Sequence, residues 1–256
     1  MRVQRYLAMA GLASRRTAEA WVAAGRVRVN GQPAFPGQPV DPARDRVEVD
    51  GQPVTVSPHR QYWLLHKPPG YTTTLADPHA RRTIRALLPA GAGRLFPVGR
   101  LDRDTAGVLL LTDDGELAHR LMHPRFGVEK VYRLEVGRPL VPADLGRLRR
   151  PVAIGQGEQA RVDRARLVAS GPDRSVVEVT LHEGRKREVR RLARALGWPL
   201  VSLTRVRYAG LDLRGLPPGA VRRLTAEEVA HLRRLAFAAD AQTHIKEGKE
   251  PHGHRA

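Results

Sequence analysis

The residue of this chain best placed to do chemistry is an aspartate, Asp102, in the segment Gly99-Arg100-Leu101-Asp102-Arg103-Asp104-Thr105-Ala106-Gly107. An ionised carboxylate can attack carbon as a nucleophile or take a proton as a base. The apolar run at 108–111 reads as a strand buried on both faces, and Asp114-Gly115 reads as a turn before a helix. Asp102 then lies on the polar approach to a core strand, held by a rigid element yet turned to the loop side. Two other readings compete with a catalytic one. An aspartate in a glycine-flanked loop often only bonds its own backbone. Alternatively, Asp102, Asp104, Asp113 and Asp114 together would suit an acidic cluster holding Mg²⁺ for nuclease or phosphotransfer chemistry.

Other chemistries are excluded or weak. With no cysteine among 256 residues there is no thiolate nucleophile, thiolate zinc site or disulfide scaffold. His119 and His123 have the four-residue spacing of helical metal ligands, but no glutamate sits where a zinc hydrolase needs its base. The dipole at a helix C-terminus explains them, and no metal is expected. A formal net charge of +18 predicts a polyanionic partner, nucleic acid first. Only five of the 44 basic residues are lysine, and guanidinium suits bidentate phosphate contacts and stacking on bases. A GC-rich genome would produce the same bias.

The length allows one large domain and a small one. The opening residues lack the apolar stretch of a signal peptide, and no run is long enough to span a membrane, so a cytoplasmic protein without a membrane partner is expected, with a monomer as the default.

Residues 1–56 read as two short helices packed on a small sheet. Val3, Tyr6, Leu7 and Ala10 lie at helical spacing, Gly11 caps that helix, and Ser14 opens a second one closed by Gly25. Asn30-Gly31 and Asp50-Gly51 are two-residue hairpin turns between alternating valines. Arg2, Arg5, Arg15, Arg16, Arg26 and Arg28 stand against a single acid, Glu19, within the first 28 residues, a basic patch that is either a nucleic-acid-binding surface or the solvated charged face of a small domain. A polar connector at 57–60 marks the boundary of a catalytic domain at 61–237.

That domain reads as strands at 62–65, 108–111, 128–136, 160–167, 176–181 and 200–207, with few helices between. The fold class is α+β, built on a mixed, largely antiparallel sheet with a basic cleft across it. Tyr132 shares a strand face with Leu134 and Val136 and, taken alone, reads as core. Val189, Leu192, Ala193 and Leu196 mark a helix whose start is crowded by Arg185, Lys186, Arg187, Arg190 and Arg191. Cations there oppose the helix dipole and call for an anion, either RNA phosphate or the Asp102 carboxylate. Thr225 and Glu228 form a capping box for a last helix. From about residue 238 to 256 the chain is polar and unpatterned, and disorder is expected.

The string 99–115, ending in Thr112-Asp113-Asp114-Gly115, closely resembles the nucleophile motif of RNA pseudouridine synthases, above all the ribosomal RNA branch with an N-terminal S4 domain. Residues 10–16 with 25–31 resemble the S4 domain itself, which implies that the basic patch there binds RNA, and His66-Lys67-Pro68 followed by Gly70 and a threonine run is similar to the segment opening the catalytic domain. No chemistry is assigned to His66 or Lys67, for which a structural or RNA-facing role is expected. The resemblance covers residues 1 to about 235 and implies the family's fold, an isomerase turning a uridine of ribosomal RNA into pseudouridine, and no cofactor. It implies that Asp102 is the nucleophile, that Tyr132 in Glu129-Lys130-Val131-Tyr132 lies against the target base, that Arg190 pairs with Asp102, and that Val189 packs near the base. Arg100 would fill the vacated space or hold a phosphate, and Arg185, Lys186 and Arg187 would bind RNA. Glu188 departs from the glutamine common in relatives, with an effect expected on RNA contacts rather than chemistry. The wording around His66 and at 122–132 is more like the enzymes acting on large-subunit 23S RNA than on 16S RNA. Against the enzyme stand a non-catalytic ribosome assembly factor and the Mg²⁺-dependent nuclease.

Overall fold

A computed structural model describes residues 1–57 and 59–247, with side chains as far as Ala238 at the C-terminal end. The chain forms two compact units. The first takes in residues 1–62 together with 90–96 and 112–115, and the second holds the rest. A linear boundary at 57–60 therefore misses two short returns of the chain into the first unit, which no local composition marks.

In the first unit, α1 (Val3–Met9) and α2 (Arg15–Ala23) pack on a four-stranded antiparallel sheet ordered β2-β1-β3-β4, where β1 is Val27–Val29, β2 Gln32–Pro33, β3 Val47–Val49 and β4 Gln52–Val54. The Ser14 hydroxyl accepts from the Thr17 amide at 2.9 Å and so starts α2. Both expected hairpins form: Asn30-Gly31 and Asp50-Gly51 have φ of 53°, 78°, 50° and 77°, as a two-residue loop with two left-handed residues requires. Val3, Leu7, Ala18, Val22, Val27 and Val47 make the core, and the Tyr6 hydroxyl donates to the Val54 carbonyl at 2.8 Å.

The second unit is built on a nine-stranded sheet. Its strands are β5 (Tyr62–Lys67), β6 (Phe96–Pro97), β7 (Ala106–Thr112), β8 (Lys130–Val136), β11 (Arg164–Ser170), β12 (Ser175–Leu181), β13 (Leu200–Tyr208), β14 (Leu211–Asp212) and β15 (Val221–Arg223). The order is β11-β12-β8-β13-β7-β5-β15, with β6 and β14 attached to β7 and β13. The β13–β7 pairing is parallel, and the pairings of β11, β12, β8 and β13 in succession are antiparallel, so the sheet is mixed and mostly antiparallel, as expected. A separate hairpin joins β9 (Val152–Gly155) to β10 (Glu158–Ala160). The continuous strand expected over 160–167 is thus broken: β10 ends at Ala160, β11 begins at Arg164, and Asp163 between them is held by the Thr180 carbonyl.

Leu109, Leu110 and Leu111 are fully buried, as a central strand covered on both faces should be. Helix α3 is Gly115–Met122, and α4 (Glu188–Ala195) lays Val189, Leu192 and Ala193 on the sheet face formed by Leu134, Val136, Val177, Val179 and Leu203. The Thr225 hydroxyl accepts from the Glu228 amide at 3.2 Å and the Glu228 carboxylate from the Thr225 amide at 2.9 Å, the reciprocal cap of α5. This helix, Ala226–Glu247, continues past the point near 238 where regular structure was expected to end. A capped start and a run of alanines outweigh the loss of apolar patterning. The rest of the tail, 248–256, lies outside the described residues. No helix of the described residues is long and apolar enough to cross a membrane.

Candidate active site

Asp102 sits in a tight loop leading into β7. The Thr105 amide donates to the Asp102 carbonyl at 3.0 Å, which turns the chain sharply and leaves the carboxylate about one third exposed. Three anchors hold this loop from behind. The Thr73 hydroxyl donates to the Leu101 carbonyl at 2.7 Å, and the Gly70 amide to the Arg103 carbonyl at 2.7 Å. The third is Lys67, wholly buried at the end of β5, whose Nζ lies 3.1, 3.2 and 2.8 Å from the carbonyls of Asp102, Arg103 and Thr105, and 3.2 Å from that of Pro68. Burial lowers the Lys67 ammonium to about 8, against the pull of Asp104 and Asp102 and with the help of Arg190.

Arginines from the start of α4 close on the loop from the other side. Arg190 Nη1 is 3.2 Å from the Asp104 carboxylate, and Nη2 donates to the Asp104 carbonyl at 2.9 Å and the Thr105 hydroxyl at 3.2 Å. Its Nε stands 3.9 Å from Asp102 Oδ2 and is buried without a hydrogen-bond partner. Arg187 spans the same two acids, 3.9 Å from Asp102 and 3.7 Å from Asp104. The expected pairing of Arg190 with Asp102 is therefore shared, and the shorter contact goes to Asp104. Arg187 is also the residue before the helix, in a left-handed conformation with φ 53°, so the turn into α4 spends backbone strain to aim its guanidinium at the loop.

Tyr132 is half-buried on β8, packed against the core that contains Val189, and directly opposite Arg205 of β13. Arg205 is in turn opposite Gly107 of β7, a few residues beyond Asp102. Gly107, at φ 120°, is required here: a Cβ would lie 2.6 Å from the Arg205 nitrogen, so only glycine lets β7 and β13 approach. Arg100, Arg103 and Lys186 are exposed beside the loop and the start of α4 in sequence. Arg185 is engaged by the Glu183 carboxylate at 3.0 Å and the Gln159 carbonyl at 2.7 Å. Glu188, expected to act at the RNA surface, is only 4 % exposed, and burial pushes its carboxyl above the usual glutamate range. It opens α4 facing inward, because the neighbouring Val189 and Leu192 fix which side of the helix meets the sheet.

In the first unit Arg2, Arg5, Arg15, Arg16 and Arg28 are exposed. Arg26 differs, forked on Asp50 at 2.5 Å and stacked 4.8 Å over the Trp21 ring. Asp113 and Asp114 are occupied there too, accepting from the Gln61 amide and the Tyr62 hydroxyl, each at 2.8 Å. No group of three or more metal-ligating side chains is found among the described residues.

Sequence reasoning missed Thr73 and Arg205 as site-building residues, gave Lys67 only a structural or RNA-facing role, and named Arg187 as a cation for RNA rather than as a partner of both Asp102 and Asp104. The signal for Lys67 was present: a lysine at the end of an apolar strand, before two prolines, is buried too early in the chain's turn to reach water.

A carboxylate on a pinned loop faced by two guanidiniums is an arrangement that suits an enzyme acting on an anionic substrate. The sequence matches the RNA pseudouridylate synthase family over residues 61–195 and the S4 domain over 1–45, and the chain belongs to that family of RNA-modifying isomerases. It is 39% identical over 238 residues to the ribosomal large subunit pseudouridine synthase B of Bacillus subtilis, covering 92% of this chain and 96% of that one. It is 44% identical to an uncharacterized RNA pseudouridine synthase of Mycobacterium bovis, over 91% and 92% of the two chains. A crystal structure of a pseudouridylate synthase superposes with a TM-score of 0.63 at 27% identity, over 91% of this chain and 99% of the other.

Proposed function

We propose that the chain converts a specific uridine of large-subunit, 23S, ribosomal RNA into pseudouridine, with Asp102 as the nucleophile or base of the reaction. The observation that carries this reading is the Asp102 carboxylate, offered on a loop fixed by Lys67 and Thr73 and faced by Arg187 and Arg190. Relatives bearing the large-subunit name, from Bacillus subtilis, Haemophilus influenzae and Vibrio cholerae, are 39%, 40% and 38% identical to it and support the choice of RNA.

The reaction breaks the bond from C1′ to N1, turns the uracil, and joins C1′ to C5, with no net change in oxidation state and no water consumed. The base must first leave the RNA stack, and the pocket must repay the unstacking energy. Tyr132 would take the base face, a contact worth about 1–3 kcal/mol. Asp102 must be ionised to act as nucleophile or base. The unpartnered Nε of Arg190, 3.9 Å from Asp102 Oδ2, is the donor that would hold the carboxylate as the site fills. Affinity rests elsewhere, on the exposed arginines of both units, because phosphate contacts dominate RNA binding.

The test is Asp102→Asn, assayed by tritium release from labelled rRNA transcripts and by pseudouridine mapping of both rRNAs in a deletion strain. Product should vanish while RNA affinity stays within about threefold, since the arginine contacts are untouched. Turnover near wild type would refute the role of Asp102. A deletion strain with every large-subunit pseudouridine intact would refute the substrate.

A further inference from the structure

Arg187 reaches toward Asp102 and Asp104 from a backbone conformation, φ 53°, that residues other than glycine seldom adopt, so the surrounding chain must hold it there. The hold comes from the residues on either side. The Glu188 amide donates to the Arg185 carbonyl at 3.2 Å, and Glu188 Oε2 accepts from the Arg185 amide at 3.0 Å. This reciprocal pair closes the turn 185–188 around Lys186 and Arg187, much as a capping box closes the start of a helix.

Glu188 is 4 % exposed, and its Oε1 has no donor among the described residues. Burying an ionised oxygen without a donor is costly. Yet the same side chain is hydrogen-bonded to the carboxyl of Glu183. Ionised carboxylates only accept, so that bond exists only when one of the two carries a proton. Burial, with the Glu183 charge adding to it, raises the Glu188 carboxyl from 4.5 to about 7, against the downward pull of the Arg185 amide and guanidinium. Glu183 is the better placed of the two to stay ionised. The Arg185 guanidinium stands 3.0 Å from it, the Arg161 amide donates to it at 3.3 Å, and it is partly exposed.

The other charges near the pair are engaged elsewhere. Lys130 of β8, close to Gly184, feels both glutamates, but its Nζ donates to the carbonyls of His182 and Val128 at 2.9 and 3.3 Å. Arg205 of β13 acts on Lys130, and its Nε donates to the Val108 carbonyl. On α4, Arg190 is taken by Asp104 and Asp102, and Arg191 by Glu158.

We propose that Glu188 is a positioning residue of the reaction and works as a neutral acid: it donates its proton to Glu183 while accepting from Arg185, and so clamps the turn that aims Arg187 at the Asp102 loop. With the proton gone, two carboxylates repel each other across the turn, the clamp loosens, and Arg187 relaxes away from Asp102 and Asp104. The inference rests on Asp102 being the reacting carboxylate.

The experiment follows single-turnover rates of the full chain from pH 5.5 to 9 on a transcript spanning the mapped target. Wild type should lose about tenfold or more as pH rises through about 7, the sensitivity expected when a group beside the reacting atom shifts slightly. Glu188→Gln carries a permanent donor. It should stay within about threefold of wild type at pH 6 and hold that rate up to about 8, where the limb due to Lys67 remains. Glu183→Gln moves the donor to the other partner and should remove the same step. Glu188→Ala supplies no donor and should be slower by about tenfold or more even at pH 6. An infrared band of a protonated carboxyl, present in wild type at pH 6 and absent from Glu188→Gln, reads the proton without reference to turnover. A Glu188→Gln variant with the wild-type pH profile, or one as slow as Glu188→Ala at pH 6, would overturn the proposal, as would absence of the band. If Glu188→Ala does not fold, the two glutamine variants and the band decide. Wild type that makes no product at any pH would instead overturn the activity, and the band would still report on the shared proton.

Discussion

Replacing Lys67 by methionine separates the stability of this protein from the positioning of its carboxylate. The ammonium touches four carbonyls, but those of Asp102 and Arg103 keep backbone donors, the Thr105 and Gly70 amides. Lys67→Met therefore strips the side-chain donor from the Pro68 and Thr105 carbonyls. Leaving a buried acceptor unpaired costs about 1–3 kcal/mol, so the loss is on the order of 2–6 kcal/mol. Against it stands the cost of burying the charge: a lysine lowered from 10.5 to about 8 corresponds to roughly 3 kcal/mol of penalty at neutral pH. The two terms nearly cancel, and unfolding in urea should show a change of no more than about 1–3 kcal/mol in either direction.

Turnover should respond more. The loop keeps Thr73 and Gly70 but loses the cross-link nearest Asp102, and sub-ångström displacement of a reacting group costs about one to two powers of ten. The pH dependence has a definite sign. Between about 8 and 10.5 the folded chain has released the Lys67 proton and the unfolded chain has not, so the stability penalty is carried below about 8 and relieved as pH rises. Activity moves the other way and falls above about pH 8, as a neutral amine offers fewer hydrogens to the carbonyls. Urea unfolding and single-turnover rates from pH 6 to 10 on wild type and variant would measure the two. Lys67→Met with wild-type turnover and an unaltered alkaline limb would refute the assignment of Lys67 as the positioning residue of the loop.

Gly107→Ala should be costly, because the added Cβ meets the Arg205 backbone, which cannot swing aside as a side chain would. A loss of about 2–4 kcal/mol and a Tm lower by about 5–15 °C are expected, and calorimetry showing no change would disprove the close approach of β7 and β13. Deleting the first 56 residues is a poor test of RNA binding, because 90–96 and 112–115 belong to the same unit and would lose their support. Arg15→Gln with Arg16→Gln is cleaner: both side chains are exposed, and the salt slope of log affinity should fall by up to about 2. An unchanged slope in filter binding would remove them from the RNA contact.

Much of the molecule was legible in order along the chain. Helices and hairpins of the first unit depend on residues two to seven apart, so Ser14, Asn30-Gly31 and Asp50-Gly51 announce them locally. The same holds for the apolar run of β7, the alternation of β8 and β12, and the Thr225–Glu228 cap. Asp102 and the basic start of α4 were also readable, because residue type and spacing along a short motif carry the chemistry. What tertiary structure alone decided is who meets whom across long separations. Lys67 finds the carbonyls of 102–105, Arg190 divides itself between Asp104 and Asp102, and Arg205 lies opposite Tyr132 through pairing of distant strands. Such contacts are set by sheet order and register, which no short window of sequence encodes. Burial likewise reversed the expectation for Glu188: its charge suggests a surface, but the helix face it shares with Val189 and Leu192 places it inside.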